Sequence, residues 1–333
     1  MVIDMATNRP LRFGILGAAR IAPEALIKPA QKSADAEVVA IAARDPARAR
    51  EFANTHRIAR VVASYEDLVA DPEIDVIYNP LPNSLHCEWT IAALRAGKHV
   101  LCEKPIASNA AEAAKMAKVA NETGMILGEA FHYRYHPLAE RIREIIDGGK
   151  LGRLSRVEGN FSVPIPETNI RFDWNLAGGA TMDLGCYPLH MIRNFSRLST
   201  KVLRARAETG PKNIDVAMEV ELELAGGATG RMTCSMKKDA QLGASFVARG
   251  EHGELKVTNP VGPHWGNQLT LKIGADETSE SVPGETTFTY QLSEFVKAVR
   301  GEAKFPTDGV EGVVNMQLID DVYRAAGLPP RGT

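Results

Sequence analysis

The chain predicts two domains: an α/β domain with a parallel sheet covered on both faces, then an α+β domain built on a largely antiparallel open sheet. Three observations predict this. Up to about residue 136, short apolar strands alternate with helices, the pattern of a parallel sheet with crossover helices. A glycine turn follows the first strand directly and opens a helix. Beyond residue 150, strand follows strand between glycine pairs or polar turns, as in an antiparallel sheet with one face on the core. A chain of 333 residues holds two such domains. The boundary falls at the helix Pro137 to Asp147 and the turn Gly148-Gly149, giving residues 1–136 and 137–333.

The elements follow in order. Leu11 to Leu16 is a compact strand, Glu37 to Ala43 a second, with a helix from Pro46. Ser64 with Asp67 opens a short helix in the manner of a capping box. Asp75 to Tyr78 is a further buried strand. Asn83 caps a helix running to Ala96, and Gly97 ends it. Lys98 to Cys102 is the next strand. Ser108 caps a helix that Gly124 closes, and Met125 to Gly128 is one more strand. In the second domain Arg153–Val163, Lys201–Ala207, Ala217–Leu224, Gly230–Lys237, Ala244–Arg249, Glu254–Thr258 and Gln268–Ile273 read as strands. Helices near Tyr290–Arg300 and Val310–Ala326 are expected to cover one face of that sheet.

The turn after the first strand, Gly17-Ala18-Ala19-Arg20-Ile21-Ala22, is a Rossmann-type dinucleotide fingerprint. Gly17 fits the tight turn and Ala22 the close helix–strand contact. Ala19 stands where glycine usually lets backbone approach the pyrophosphate, which displaces the phosphate slightly. Ala19, Arg20 and Ile21 would line it. The second strand ends Ala43-Arg44-Asp45-Pro46. An acid at that tip accepts from the ribose 2′-hydroxyl of NAD. Here the tip is Arg44, whose guanidinium suits a 2′-phosphate, and Asp45 reads as an N-cap before a proline at the first helical position. Arg48 adds charge one turn on. NADP is therefore expected, with NAD possible; the alternative is that Arg44 points to solvent and Asp45 binds ribose.

Glu103-Lys104-Pro105 follows the Lys98–Cys102 strand at once. Ligands of open parallel sheets bind beyond the carboxyl ends of the strands. Pro105 biases Lys104 toward extended backbone and stops a helix, so the amine is held at the rim; the plain alternative is a surface lysine. In the second domain Gly178-Gly179 leads into a helix carrying Asp183, Tyr187 and His190 on one stripe. Polar groups on a mostly apolar helix are costly unless paired, which points to a buried site. Pro188 should kink the helix just beyond Tyr187. The alternative is a tyrosine bonded to Asp183 with His190 in the core, and His190 itself reads as structural.

Other chemistries find little support. His132 and His136 have zinc-ligand spacing, but Pro137 follows at once and no His-Glu-x-x-His pattern exists, so no metal is expected. Cys87, Cys102, Cys186 and Cys234 show no paired spacing and read as reduced thiols of a cytoplasmic protein. No G-x-S-x-G nucleophile turn is present. A net charge of −2 argues against a nucleic-acid partner, and no apolar run reaches membrane-spanning length. Met1 to Pro10 contains Asp4 and no apolar core of an export signal.

These segments resemble the Gfo/Idh/MocA family. The resemblance runs through Gly14-Ile15-Leu16-Gly17, Asn79-Pro80-Leu81-Pro82-Asn83 with His86, Ala96 to Val100, Glu103-Lys104-Pro105, Glu129-Ala130-Phe131 with Arg134 and Pro137, and Gly178-Gly179 to Tyr187. Many members carry histidine where this chain has Tyr187. The tyrosine form, with Arg44, is similar to the branch holding dimeric dihydrodiol dehydrogenase, NADP-dependent D-xylose dehydrogenase and glucose–fructose oxidoreductase. The resemblance implies hydride transfer between nicotinamide and a carbinol or carbonyl carbon of a sugar or vicinal diol. It implies Tyr187 as acid/base, Lys104 lowering its pKa and bonding the reacting oxygen, and Asp183 orienting them, an amine, carboxylate and phenol drawn from both domains. Pro80, Asn83, His86, Glu103 and Lys104 fall on the cofactor side. Asn83 has an alternative as a helix cap and His86 as a first-turn residue. His132, Arg134, Arg171, Trp174 and Tyr187 fall on the substrate side, with Asn175 beside Trp174; a loop anchored by its tryptophan is the alternative there. The open sheet predicts a homodimer or homotetramer. Two other functions remain open: a dinucleotide-binding sensor or regulator without catalysis, and a reductase of a non-sugar carbonyl such as an α-dicarbonyl.

Overall fold

A computed structural model of the chain describes residues 9–333. Most of the Met1–Pro10 stretch read above for an export signal lies outside the described residues. The backbone groups into two compact units, Met1–Phe131 with Phe288–Val313, and His132–Thr287 with Val314–Thr333.

The first unit holds six parallel strands: β1 (Leu11–Leu16), β2 (Ala36–Ala42), β3 (Arg60–Val61), β4 (Val76–Asn79), β5 (His99–Cys102) and β6 (Leu127–Glu129). Their order is β3-β2-β1-β4-β5-β6. The direction of winding reverses between β1 and β4, where such sheets bind dinucleotides. The two-residue β3 was not legible in the sequence. The crossovers carry α1 (Lys28–Gln31, continuing a π turn from Pro23), α2 (Pro46–His56), α3 (Tyr65–Ala70), α4 (His86–Arg95) and α5 (Ala110–Thr123). Val76, Ile77, Tyr78, Val100, Leu101 and Cys102 are fully buried, as strands covered on both faces must be.

Two expected caps move. Asn83 is the first residue of a single 3-10 turn, Asn83–Leu85, that precedes α4, and Pro82 stands at the cap position. Helix α5 is capped by Asn109, which accepts from Glu112 N–H at 3.0 Å. The Glu112 carboxylate reaches back to Ser108 N–H at 2.9 Å. The reciprocal box is thus set one residue later than Ser108, because the asparagine carbonyl reaches the third amide.

The second unit contains α6 (Pro137–Asp147) and α7 (Cys186–Ser196) beside an eight-stranded sheet. Its strands are β7 (Leu154–Ser162), β8 (Thr200–Thr209), β9 (Asp215–Leu224), β10 (Ala228–Ser235), β11 (Gly243–Gly250), β12 (Gly253–Thr258), β13 (Gln268–Ile273) and β14 (Asp276–Glu280). The order is β14-β13-β12-β11-β7-β10-β9-β8, antiparallel except for β7 with β10. The last strand, β14, is exposed throughout, so no apolar alternation announced it. Helix α7 lies close on the sheet because two glycines give way. A Cβ at Gly159 of β7 would stand 2.7 Å from Pro188 Cβ, and one at Gly185 would stand 3.0 Å from Cys234 Sγ.

Two expectations are corrected here. Pro188 was read as kinking the helix beyond Tyr187. The irregularity instead precedes Tyr187, as a π turn over Thr181–Gly185 that runs into α7. Pro188 supplies no N–H and its ring crowds the carbonyl four residues back, so the ladder widens upstream of it. The C-terminal helices were both laid over the second sheet. Helix α8 (Thr287–Val299) packs, from Phe288 on, within the first unit. Phe295 lies 6.4 Å from Phe13 of β1 and 5.3 Å from Phe305, centroid to centroid. Its stripe Phe288, Leu292, Phe295, Val296 and Val299 is buried. Such a stripe demands burial but does not say which sheet provides it. Helix α9 (Gly309–Ala325) starts in the first unit and continues in the second.

Two histidines tie the fold to pH. His99 Nδ1 accepts Ile126 N–H at 2.9 Å, and His136 Nδ1 accepts Leu138 N–H at 3.1 Å as the cap of α6. Both must be neutral to accept, and burial pushes each from 6.5 down to about 4. The unfolded imidazoles bind protons first, so stability is full above pH 6.5 and drains away as pH falls toward 4. Urea midpoints measured between about pH 7.5 and 4.5 should fall with pH, and His136→Asn should flatten that slope by about one proton. A midpoint that does not move over this range would refute the assignment.

Candidate active site

The carboxyl edge of the parallel sheet gathers most of the cofactor residues read from the sequence. Gly17 takes φ +80°, and a Cβ on it would fall 2.9 Å from Leu81 Cδ2; its N–H donates to Ala42 O at 2.7 Å. Only glycine fits both the left-handed angle and the space. Ala22 is fully buried, as close helix–strand contact requires. Between them Ala19 is half-buried, and Arg20 and Ile21 are exposed ahead of the helix that starts at Pro23. Arg44 is exposed at the end of β2. Asp45 is spent on capping α2, accepting from Ala47 N–H at 2.9 Å and Arg48 N–H at 3.4 Å. Arg48 is tied to the fingerprint turn, donating from Nη2 to Ala18 O at 2.8 Å. A glycine cradle with no room for a side chain and a helix start behind it fit a dinucleotide.

Lys104 sits just past β5 in a segment held on several sides. Its peptide bond to Pro105 is cis. Glu103 N–H donates to Asn79 O at 3.0 Å, and Tyr78 donates its hydroxyl to Glu103 Oε1 at 2.7 Å. Glu129 Oε1 accepts Ile106 N–H at 2.9 Å. His86 is fully buried, with Nδ1 2.9 Å from Pro105 O and Nε2 2.7 Å from Leu81 O. Burial, and then the Lys104 charge, lower its pKa to about 4 against the pull of those carbonyls. His86 therefore joins the loops after β4 and β5, which carry Pro80, Asn83, Glu103 and Lys104. Pro80 is buried and Asn83 half-buried. Asn79, Tyr78 and Glu129 were not singled out as anchors in the sequence. A buried acid or amide at a strand end was the available signal.

The second unit brings the other group together. Tyr187 is 4% exposed. Its hydroxyl lies 3.1 Å from His132 Nε2, and its ring meets Phe161 edge-on at 5.4 Å. Tyr133, next to His132, bonds through its hydroxyl to His190 Nδ1 at 2.5 Å. Asp183, on the π turn ahead of Tyr187, pairs with Arg171 Nε at 2.5 Å. Arg134 is half-buried in the same turn as His132. On the sequence stripe Asp183–Tyr187–His190, the phenol's partner comes from His132, 55 residues earlier.

The glycine pair ahead of this helix is fixed from below. Arg331 and Asp215 form an ion pair with both side chains fully buried. Arg331 Nε donates to Gly178 O at 2.6 Å, while Asp215 accepts Thr181 N–H at 2.7 Å and the Tyr323 hydroxyl at 3.0 Å. The guanidinium stacks 4.3 Å from both the Trp174 and the Tyr323 rings. Gly179, at φ +135°, has no space for a Cβ, which would stand 2.8 Å from the Tyr323 hydroxyl. Trp174 is thereby tied to the turn that leads to Asp183.

Among the described residues no cluster of three or more His, Cys, Asp or Glu could hold a metal ion. None of the described helices is long and apolar enough to cross a membrane. All four cysteines are free thiols.

Residues 11–131 match the family model described as oxidoreductase family, NAD-binding Rossmann fold, and residues 139–256 match the GFO/IDH/MocA C-terminal domain. The chain is 36% identical to D-xylose 1-dehydrogenase (NADP(+)) 2 of Haloferax volcanii over 95% of its own length and 97% of that protein's. It is 34% identical to trans-1,2-dihydrobenzene-1,2-diol dehydrogenase of Bos taurus over 75% of each chain. Its structure is similar, at a TM-score of 0.88 and 26% identity, to that of a 3-ketoreductase from Actinomadura kijaniata with NADP and TDP-benzene, covering 95% of this chain and 98% of that one.

The buried pair yields a direct expectation. Arg331→Met leaves Asp215 charged and unpaired, which should cost about 3–5 kcal/mol in urea unfolding. Adding Asp215→Asn should restore most of that. A single substitution as stable as the parent would show that the pair does not hold the turn.

Proposed function

We propose, from the premise that this chain belongs to the Gfo/Idh/MocA oxidoreductase family, that it is an NADP-dependent dehydrogenase or reductase. It moves hydride between the nicotinamide and a carbinol or carbonyl carbon of a sugar or vicinal diol. The observation that carries this reading is the Tyr187 phenol, buried and hydrogen-bonded to His132. A dinucleotide-binding sensor has no use for such a group. The relatives named above, a xylose dehydrogenase and a diol dehydrogenase, support the substrate class.

The nicotinamide, when bound, supplies the hydride acceptor or donor. The residues of this chain supply the proton. In this reading Tyr187 takes the proton of the substrate hydroxyl as hydride leaves the carbon, and returns it in reduction. A free phenol, with pKa near 10, is a poor base at neutral pH. An ammonium beside it favours the phenolate, and we assign that role to Lys104. Asp183, held by Arg171, is assigned to orient the reacting groups, and His132, Arg134, Arg171 and Trp174 to border the substrate. Arg44 is assigned to the 2′-phosphate, since Asp45 is engaged in capping. We further propose a cytoplasmic protein that assembles as a homodimer or homotetramer through the open sheet. Its outward side chains Glu158, Arg249 and Glu254 form a charged row there.

Absorbance at the NADPH band, with a panel of sugars and diols, tests the activity. Tyr187→Phe should lower kcat by roughly a hundred- to ten-thousandfold while NADPH affinity stays within about twofold. Turnover near that of the parent would remove the tyrosine from the mechanism. Arg44→Ala should cut kcat/KM for NADP by about ten- to a hundredfold with little change for NAD, the worth of a charge-assisted bond to phosphate. An unchanged NADP/NAD ratio would overturn the cofactor assignment.

A further inference from the structure

We propose that His132 donates a hydrogen bond to the Tyr187 phenol oxygen, and that Thr287 positions His132 by donating to its Nδ1. The proposal rests on the reading of Tyr187 as the acid/base and names two positioning residues for it.

The three groups form a buried line. His132 is 7% exposed and Thr287 is fully buried. His132 Nε2 lies 3.1 Å from Tyr187 Oη, and Nδ1 lies 2.8 Å from Thr287 Oγ1. The two rings meet edge-on, 5.8 Å apart at 65°. Both ring nitrogens are therefore within hydrogen-bond reach of protein hydroxyls, so the ring acts on the reaction through the phenol. A neutral imidazole carries one N–H, so one nitrogen donates and the other accepts.

The two possible tautomers have opposite consequences. With the proton on Nδ1, Thr287 accepts it, and Nε2 must accept the phenol proton. The only proton of Tyr187 is then turned toward the histidine and away from any substrate. With the proton on Nε2, the Thr287 hydroxyl donates to Nδ1, and Nε2–H donates to the phenol oxygen. The phenol proton is then left for the reacting oxygen, and the phenolate, once formed, keeps a donor. Hydrogen bonding to the charged form favours that form. Only this second arrangement lets one tyrosine serve as acid in reduction and base in oxidation. Thr287 supports it because its hydroxyl can rotate to donate to Nδ1.

Other ionisable groups surround the line in this unit. Tyr133 lies 6.1 Å from the Tyr187 ring and is bonded to His190. Asp183 and Arg171 form an ion pair on the turn ahead of Tyr187. Arg134 shares the turn of His132. His264 accepts Thr287 N–H at 3.4 Å. His136, whose pKa burial and then His264 lower to about 4, is neutral through the working range.

The test has one readout without turnover and one with it. Nitrogen-15 spectra of histidine-labelled protein at pH 7.5 should show His132, assigned by its loss in His132→Gln, as the Nε2–H tautomer. Thr287→Val, which leaves Nδ1 without its donor, should move the Nδ1 resonance toward that of an unbonded imine nitrogen, and Thr287→Ser should not. In the oxidation direction, the ionisation governing kcat/KM should rise by about one to two pH units in Thr287→Val and His132→Leu, the worth of one bond to a charged group. Thr287→Ser, which keeps a donor, should stay near the parent profile. An Nδ1–H tautomer in the parent, or parent-like profiles in Thr287→Val, overturns the inference even if His132→Leu does not fold. The failure of the underlying reading looks different: Tyr187→Phe would itself retain turnover.

Discussion

The geometry of the second unit depends on one buried ion pair. Asp215 and Arg331 come from β9 and from the end of the chain, and neither side chain touches solvent. Charges so placed cost several kcal/mol in desolvation unless every remaining hydrogen-bonding site is filled. Here surrounding backbone and one tyrosine hydroxyl do the filling. Gly178 offers its carbonyl, Thr181 its amide and Tyr323 its hydroxyl. Satisfying the charges therefore fixes the turn between Gly178 and Thr181, and that turn sets where Asp183 and Tyr187 stand. The same guanidinium carries Trp174 on its face. The three bonds that satisfy the buried charges thus also fix this turn.

The carboxyl edge of the parallel sheet follows a related logic with single hydrogen bonds. Loops there leave the sheet ladder, so their backbone polar groups need partners from elsewhere. Asn79 O, Glu129 and His86 answer for Glu103, Ile106 and Pro105 in turn. Lys104, between them, stands on backbone pinned on either side. A flexible amine is useful as a charge only where its root does not wander.

Much of this was legible in advance, for identifiable reasons. The left-handed turn at Gly17 and the Asp45-Pro46 cap are local features whose backbone angle and hydrogen bonds lie within a few residues. The sequence holds them whole. The Glu103-Lys104-Pro105 rim was legible because proline constrains its neighbour. Caps at Asn83 and Ser108 moved by a residue or a turn, since several polar residues there compete for the same amides. Helix α8 was assigned to the second sheet because an apolar stripe reads alike against any sheet. Strands β3 and β14 escaped, one through shortness and the other through having no buried face.

The sequence by itself determined the alternation of strand and helix in the first unit and the glycine turn after β1, because each rests on neighbours along the chain. Tertiary structure alone decided that Tyr187 faces His132, that His132 in turn meets Thr287, that Asp183 is paired with Arg171, and that the glycine pair is clamped by Arg331. These partners lie from 12 to 155 residues apart. No periodicity links such positions. They meet because buried polar groups must find partners wherever the fold brings one within reach.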